Sequence, residues 1–237
     1  MRHEYTGEAM FEYFGKKKNI AYKYPTPTHD LLIEPFCGAA YFALLHWDRE
    51  VWLNDKNPVI SEIWRYLQKS DPEGILRLPL PRPGQPIAEV PSLPQVERDL
   101  IGFVVSPSNS SPRLSVPTLD HEWFSAGRWR GRIRYIAHNL HKIRRWTITN
   151  LDYLELPCGL RASWFVDAPY QHAGRSYPYR IGDYAVLGEW CRNLRGQAIV
   201  CEDDLADWLP FRVLDPSQPC NRFYRGNAIE CYWTNET

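Results

Sequence analysis

Short apolar runs that end on an acid or an amide recur along both ends of the chain. Leu31-Leu32-Ile33 runs into Glu34-Pro35, and Pro35 has no N–H to give a central ladder, so a strand is predicted to stop there. Gly38-Ala39-Ala40 follows as a small-residue turn, then Tyr41 to Trp47 as a short helix. Val51-Trp52-Leu53 predicts a second strand closed by Asn54-Asp55, after which Asn57 reads as a helix cap and Pro58 as the first helical residue. Val59, Ile60, Ile63, Trp64 and Leu67 continue at helical spacing and make one apolar face. Strand, turn, helix, strand, acid, helix is the opening of a parallel α/β sheet.

The pattern resumes at Ile148, a short strand leading to Asp152, and at Ser163-Trp164-Phe165-Val166, a strongly apolar strand that ends in Asp167-Ala168-Pro169-Tyr170. Tyr184 to Arg195 reads as a helix, Ala198 to Cys201 as a buried strand and Phe211 to Leu214 as another. Ala228 to Trp233 alternates as a last strand, antiparallel to its neighbour after a turn at Arg225-Gly226-Asn227. The middle differs. Residues 71–120 hold 10 of the chain's 20 prolines, and Ser106 to Ser111 offers little that packs, so an irregular insert or long loop is expected. Ile133, Ile136, Ala137, Leu140 and Ile143 then recur at three- and four-residue steps, predicting an amphipathic helix over 130–146. Arg130, Arg134, His138, His141 and Arg145 fall on its other face.

Charge sharpens that picture. The chain's 28 Lys and Arg balance 28 Asp and Glu, which argues at first against a polyanionic partner. Yet Trp123 to Thr149 contains Arg128, Arg130, Arg132, Arg134, Lys142, Arg144 and Arg145 with no acid, and His121 lies beside it. A basic segment is therefore carried on an acidic body. Trp123, Phe124, Trp129, Tyr135 and Trp146 interleave with the charges, the composition of a phosphate-contacting surface with stacking platforms. Hydrophobic content of 44% fits a globular chain, and no apolar run approaches the roughly 20 residues that span a bilayer. With no basic-then-apolar start, a cytoplasmic protein is expected. Cys37, Cys158, Cys191, Cys201, Cys220 and Cys231 form no Cys-x-x-Cys pair, which gives no zinc spacing and suggests reduced thiols, with Cys201 and Cys231 as small buried apolar groups.

In open α/β sheets ligands bind beyond the C-terminal ends of the strands. Four predicted ends carry an acid: Glu34, Asp55, Asp152 and Asp167. Gly38 lets backbone approach a ligand closely, but no phosphate-binding G-x-x-x-x-G-K-[ST] or full G-x-G-x-x-G is present, and Glu34 would repel a phosphate. An adenosine ligand with a cationic tail fits these acids better, with Asp55 placed to accept ribose hydroxyls. Asp167 and the Ala168 carbonyl would accept hydrogen bonds from one exocyclic amine, and Tyr170 would stack on the attached base.

With those residues in place the chain resembles the D12 class of adenine-N6 DNA methyltransferases, the group that includes the Dam enzymes. Phe14-Gly15-Lys16-Lys17 looks like the family's Phe-Gly-Gly-Lys stretch, and Glu34-Pro35-Phe36-Cys37-Gly38-Ala39 like its Glu-Pro-Phe-x-Gly-x loop. Asn54-Asp55-Lys56-Asn57-Pro58 is similar to its Asn-Asp-x-Asn-Pro motif, and Asp152-Tyr153 to its Asp-Phe. Asp167-Ala168-Pro169-Tyr170 matches the catalytic Asp-Pro-Pro-Tyr at three of four places. Ala168 stands where the family has proline, and Lys16 where it has a second glycine.

The resemblance implies a Rossmann-like S-adenosylmethionine-dependent methyltransferase sheet with an inserted target-recognition region. Residues 1–68 and 148–237 would be the catalytic core, and 69–147 the recognition insert, with a proline-rich loop at 71–120 and a basic helical segment at 123–147. It implies methyl transfer from S-adenosyl-L-methionine to N6 of adenine in double-stranded DNA by a monomer. Phe14, Lys17, Glu34, Phe36, Gly38, Asp55, Asp152 and Asp167 would hold the cofactor, and Asp167, Ala168, Pro169 and Tyr170 would serve the reaction, with no metal. Arg128, Arg130, Arg132, Arg134, Lys142 and Arg145 would meet DNA, and Arg175, Tyr177 and Tyr179, beyond His172, would form a loop over the target base or touch DNA. Cytosine-N4 or RNA methylation, and a catalytically weakened DNA-binding relative, are the alternatives. The motifs specify neither a recognition sequence nor a restriction partner.

Overall fold

A computed structural model describes residues 9–106, 109–118, 124–215 and 229–236. Trp123, His121, Cys220, the Arg225-Gly226-Asn227 turn and Ala228 lie outside the described residues. Among those residues the chain forms a mixed α/β fold, a seven-stranded sheet flanked by helices.

The strands are β1 (Leu31–Glu34), β2 (Glu50–Asn54), β3 (Thr147–Thr149), β4 (Ala162–Val166), β5 (Gly196–Asp203), β6 (Arg212–Val213) and β7 (Glu230–Thr234). Their order is β3-β2-β1-β4-β5-β7-β6. β1 to β5 are parallel, while β7 runs antiparallel to both β5 and β6. The order reverses beside β1, where Ile33 pairs with Trp52 on one side and Trp164 on the other. That reversal opens a crevice between β1 and β4 at the C-terminal edge of the sheet.

Central parallel strands are covered on both faces, so they read as continuous apolar runs. β4 is buried at all five positions. Successive side chains nonetheless serve opposite faces. Leu32, Leu53, Phe165, Ile199 and Cys201 join one core, while Ile33, Trp164, Val166, Ala198 and Val200 join the other.

The first core is covered by α1 (Tyr41–Leu45), α2 (Pro58–Lys69), α3 (Pro72–Leu76), α4 (Gln95–Val104) and α5 (Ala126–Asn139). α2 starts as the sequence predicts: Asn57 accepts from the Val59 N–H at 3.1 Å, and Pro58 occupies the first turn. Its Ile60, Ile63, Trp64 and Leu67 are fully buried. Such side chains each contribute roughly 1.5–3 kcal/mol relative to exposure. The second core is covered by α6 (Tyr184–Arg192), with Leu187, Trp190 and Cys191 facing the sheet.

The proline-rich stretch departs from expectation. It carries α3, a 3-10 turn at Ile87–Glu89 and α4, whose Leu100, Ile101 and Phe103 are fully buried. Phe103 packs against Phe11 and Tyr13 at ring distances of 5.7 and 5.6 Å, so the insert shares the sheet's own core. Several of its prolines mark helix starts: Pro72 opens α3 and Pro94 precedes α4.

The basic helix also shifts. It begins at Ala126, where Ser125 Oγ accepts from the Arg128 N–H at 3.2 Å, and gives way after Asn139 to a 3-10 turn at Leu140–Ile143. Its apolar and basic faces are those the spacing predicts. Three of the interleaved aromatics are not stacking platforms, however: Phe124, Trp129 and Trp146 are buried and hold the helix to the core, while Tyr135 is half-buried.

Candidate functional site

A cavity of about 330 Å³ lies at the C-terminal ends of β1, β2 and β4. All eight residues expected to hold a cofactor (Phe14, Lys17, Glu34, Phe36, Gly38, Asp55, Asp152 and Asp167) line it. The sequence scatters them over 150 positions, and the strand order gathers them.

Asn54, at the end of β2, fastens the rim. Its Nδ2 donates to the carbonyls of Pro35 at 3.0 Å and Leu151 at 3.1 Å, while its Oδ1 accepts from the Leu151 N–H at 3.0 Å. One buried amide thus ties the loops that follow β1, β2 and β3. Its neighbour Asp55 accepts from the Gly38 N–H at 3.0 Å and from the Asn57 N–H at 2.9 Å. Burial raises the Asp55 carboxyl to about 6 from an ordinary 3.8, against the two N–H groups that favour its charged form. Each of its oxygens keeps acceptor capacity after those bonds.

Gly38 turns at φ 44°, a left-handed conformation suited to glycine, and a Cβ there would sit 2.8 Å from the Tyr13 ring. Trp64 Nε1 donates to its carbonyl at 2.8 Å, which fixes the loop from below. Glu34 points beneath the same loop and accepts the Ala43 N–H at 2.6 Å. Burial holds its carboxyl well above the usual range, with Asp167 adding to the shift and the Ala43 N–H opposing it.

Asp152 caps a 3-10 turn at Tyr153–Glu155 and pairs with Lys56 at 2.7 Å. Burial pushes its carboxyl upward, but the Lys56 ammonium and the Leu154 N–H outweigh that and hold it below the usual value. Phe36 and Tyr153 meet at 5.3 Å and form an aromatic wall.

The tetrapeptide divides. Asp167 and Pro169 line the cavity, whereas Ala168 and Tyr170 are buried away from its lining. Asp167 Oδ1 lies 2.7 Å from Lys17 Nζ. Burial lifts the Asp167 carboxyl to about 6, with Lys17 opposing and Glu230 adding. Lys17 stays charged: burial would lower its ammonium, but Asp167 and Glu230 raise it well above the ordinary value. Tyr170 donates its hydroxyl to Glu230 Oε1 and carries Lys17 Nζ 4.7 Å from its ring centre. Tyr24 donates to the same Oε1 at 2.5 Å.

The loop beyond the tetrapeptide does reach over the cavity. Tyr177 and Tyr179 line it, and Tyr177 Oη donates to the Phe14 carbonyl at 3.1 Å. Arg175 does not; its carbonyl accepts from Arg180.

Of the basic side chains expected to meet a polyanion, Arg128, Arg130, Arg134 and Arg145 are exposed. Arg132 is engaged internally, donating to the Ala9 carbonyl at 2.8 Å and pairing with Glu12 at 2.5 Å. Lys142 stands 5.7 Å from the Trp47 ring centre, and burial lowers its ammonium.

Sequence reasoning missed Tyr13, Tyr24, Asn54 as a clasp, and above all Glu230. The available signal for Glu230 was a carboxylate at an inward position of a strand, a residue rarely buried unless partnered. No family model matches the chain, and no curated protein matches it.

Proposed function

We propose that this chain is an S-adenosylmethionine-dependent DNA methyltransferase acting on N6 of adenine. The observation that carries the reading is the convergence of the segments 14–17, 34–38, 54–57, 152–153 and 167–169 on one cavity at the reversal of strand order. The sheet order, with its antiparallel β7 between β5 and β6, supports a Rossmann-like methyltransferase sheet.

The cavity residues fit the cofactor. A carboxylate already oriented by two N–H groups suits the ribose hydroxyls at Asp55, and the wall of Phe36 and Tyr153 suits an adenine. A glycine whose side-chain position Tyr13 would fill leaves backbone facing the ligand at Gly38. Bound there, S-adenosylmethionine supplies an electrophilic methyl group.

Asp167 carries the chemistry on the protein side. Lys17 occupies Oδ1 and sets the carboxylate's orientation, leaving Oδ2 to accept a hydrogen bond from the target amine. That acceptor directs the nitrogen lone pair and favours the positive charge that develops on it. DNA would lie on the exposed arginines of α5, held through its phosphates.

Incubation with labelled S-adenosylmethionine and mixed-sequence DNA, with matched RNA in parallel, followed by mapping of modified bases, tests the reading. Label on adenine N6 is the expected result; label on cytosine or on RNA alone, or none, overturns it. The placement of Tyr170 favours one second reading, a DNA-binding relative of weakened activity. Its ring is buried and its hydroxyl engaged by Glu230, so stacking on a base requires it to turn out. That relative would bind cofactor and DNA without transferring methyl.

A further inference from the structure

A second cavity, of about 460 Å³, lies behind the segment that carries Lys17. Lys16 lines both cavities, so the stretch around it is the partition between them. Four cations surround the second cavity: Lys16, Lys18, Arg128 and Arg132. The carboxylate in its wall, Glu12, is shared between Lys16 and Arg132 at 2.5 Å each. Among the described residues Lys18 and Arg128 have no carboxylate partner, so the cavity keeps a positive excess. α5 runs along the cavity and contributes Arg128, Trp129, Gly131 and Arg132 to its lining.

One further group is unexplained by the fold. Ser106 lines the cavity, is 3% exposed, and its Oγ has no hydrogen-bond partner among the described residues. A buried hydroxyl left unpaired costs free energy, and native structures keep few of them. A ligand that offers an acceptor oxygen would satisfy it once the side chain rotates toward the cavity. Val104, Phe124 and Trp129 supply apolar wall, and the volume exceeds what a lone anion needs.

We propose that this cavity seats a backbone phosphodiester of bound DNA, with its sugar against the apolar wall. Lys18 and Arg128 neutralise the phosphate and Ser106 donates to one of its oxygens. The site sits across the partition from Asp167, so it would hold the strand beside the nucleotide that enters the catalytic cavity. The identity of the polyanion rests on the methyltransferase reading; the anion site itself rests on the residues just named.

The test uses the full chain and a fluorescent DNA duplex, with anisotropy read across a salt series. Lys18→Gln and Arg128→Gln are each expected to lower affinity about three- to tenfold and to reduce the slope of log affinity against log salt by about one. Ser106→Ala is expected to lower affinity about three- to tenfold with the slope unchanged, because a neutral hydroxyl releases no counterion. Unchanged affinity and slope in all three variants overturns the proposal, even if the wild type transfers methyl groups. Conversely, the expected changes in a wild type that transfers nothing uphold the site and reject the enzyme reading. Inorganic phosphate and deoxyadenosine monophosphate are titrated in parallel. Binding of either as tight as that of the duplex, and lost in the same variants, would assign the cavity to a free phosphate and overturn the DNA assignment.

Discussion

Lys17 Nζ lies 2.7 Å from Asp167 Oδ1 and 3.7 Å from Glu230 Oε1, so one buried cation joins the N-terminal segment to the ends of β4 and β7. The Asp167 carboxyl titrates at about 6 rather than 3.8, because burial outweighs the ammonium beside it. A carboxyl raised in this way adds stability below 3.8 and loses it as pH rises through about 6. In the proposed reaction it must be ionised to accept the amine, so methyl transfer is expected to fall as pH drops through about 6. Lys17→Met removes the counter-charge and raises that carboxyl further. The acid limb of the pH–rate profile should then move upward, and the variant should lose more stability at pH 8 than at pH 5 on chemical denaturation. An acid limb that stays where it is in the wild type would mean that Lys17 does not control Asp167.

Gly38 supplies a sharper structural test. At φ 44°, and with the Tyr13 ring 2.8 Å from an added Cβ, Gly38→Ala should cost about 1–3 kcal/mol and abolish cofactor binding. Gly131 is the contrast: it sits inside α5 with nothing within 4 Å of an added Cβ. Gly131→Ala should therefore stabilise by roughly 0.5–1 kcal/mol, as a helix-interior glycine loses more entropy on folding. Thermal unfolding of both variants checks the pair. Equal effects at the two positions would contradict the geometry.

The parallel half of the sheet was legible because each strand is a run of apolar residues closed by Glu34, Asn54 or Asp167, and α2 because Asn57-Pro58 announces its start. The acids at those strand ends were legible for the same reason. The proline-rich stretch misled, since proline at the start of α3 and before α4 is a helix-start signal that density alone conceals. Trp129 and Trp146 misled in another way: an aromatic beside arginines has the same local composition whether it faces solvent or core. The partners of Glu230 were illegible, because Tyr24, Tyr170 and Lys17 come from two remote segments. Only strand pairing between β5 and β7 brings them together.

Trp129 separates the two uses of an aromatic in a basic helix. It is 4% exposed and packs into the core, so Trp129→Ala should cost about 3–5 kcal/mol. Exposed Arg134 carries the opposite expectation. Arg134→Gln should leave stability within about 0.5 kcal/mol and flatten the salt dependence of DNA binding. Denaturant titrations and binding isotherms on the same two proteins decide it. A Trp129→Ala protein of wild-type stability would restore the aromatic to a surface role.

Glu230 gives the test that runs against the first. Its Oε1 accepts both the Tyr24 and Tyr170 hydroxyls, so Glu230→Ala strands two buried phenols at about 1–3 kcal/mol each. Glu230→Gln keeps an acceptor oxygen and removes only the charge, and should retain most of that stability. The Glu230 charge is one of the causes that raise the Asp167 carboxyl, so its loss lets that carboxyl ionise more readily. The acid limb of methyl transfer in Glu230→Gln should accordingly shift to lower pH, opposite in sign to Lys17→Met. Shifts of the same sign in the two variants would show that disturbed folding, not the charge balance around Asp167, governs the profile.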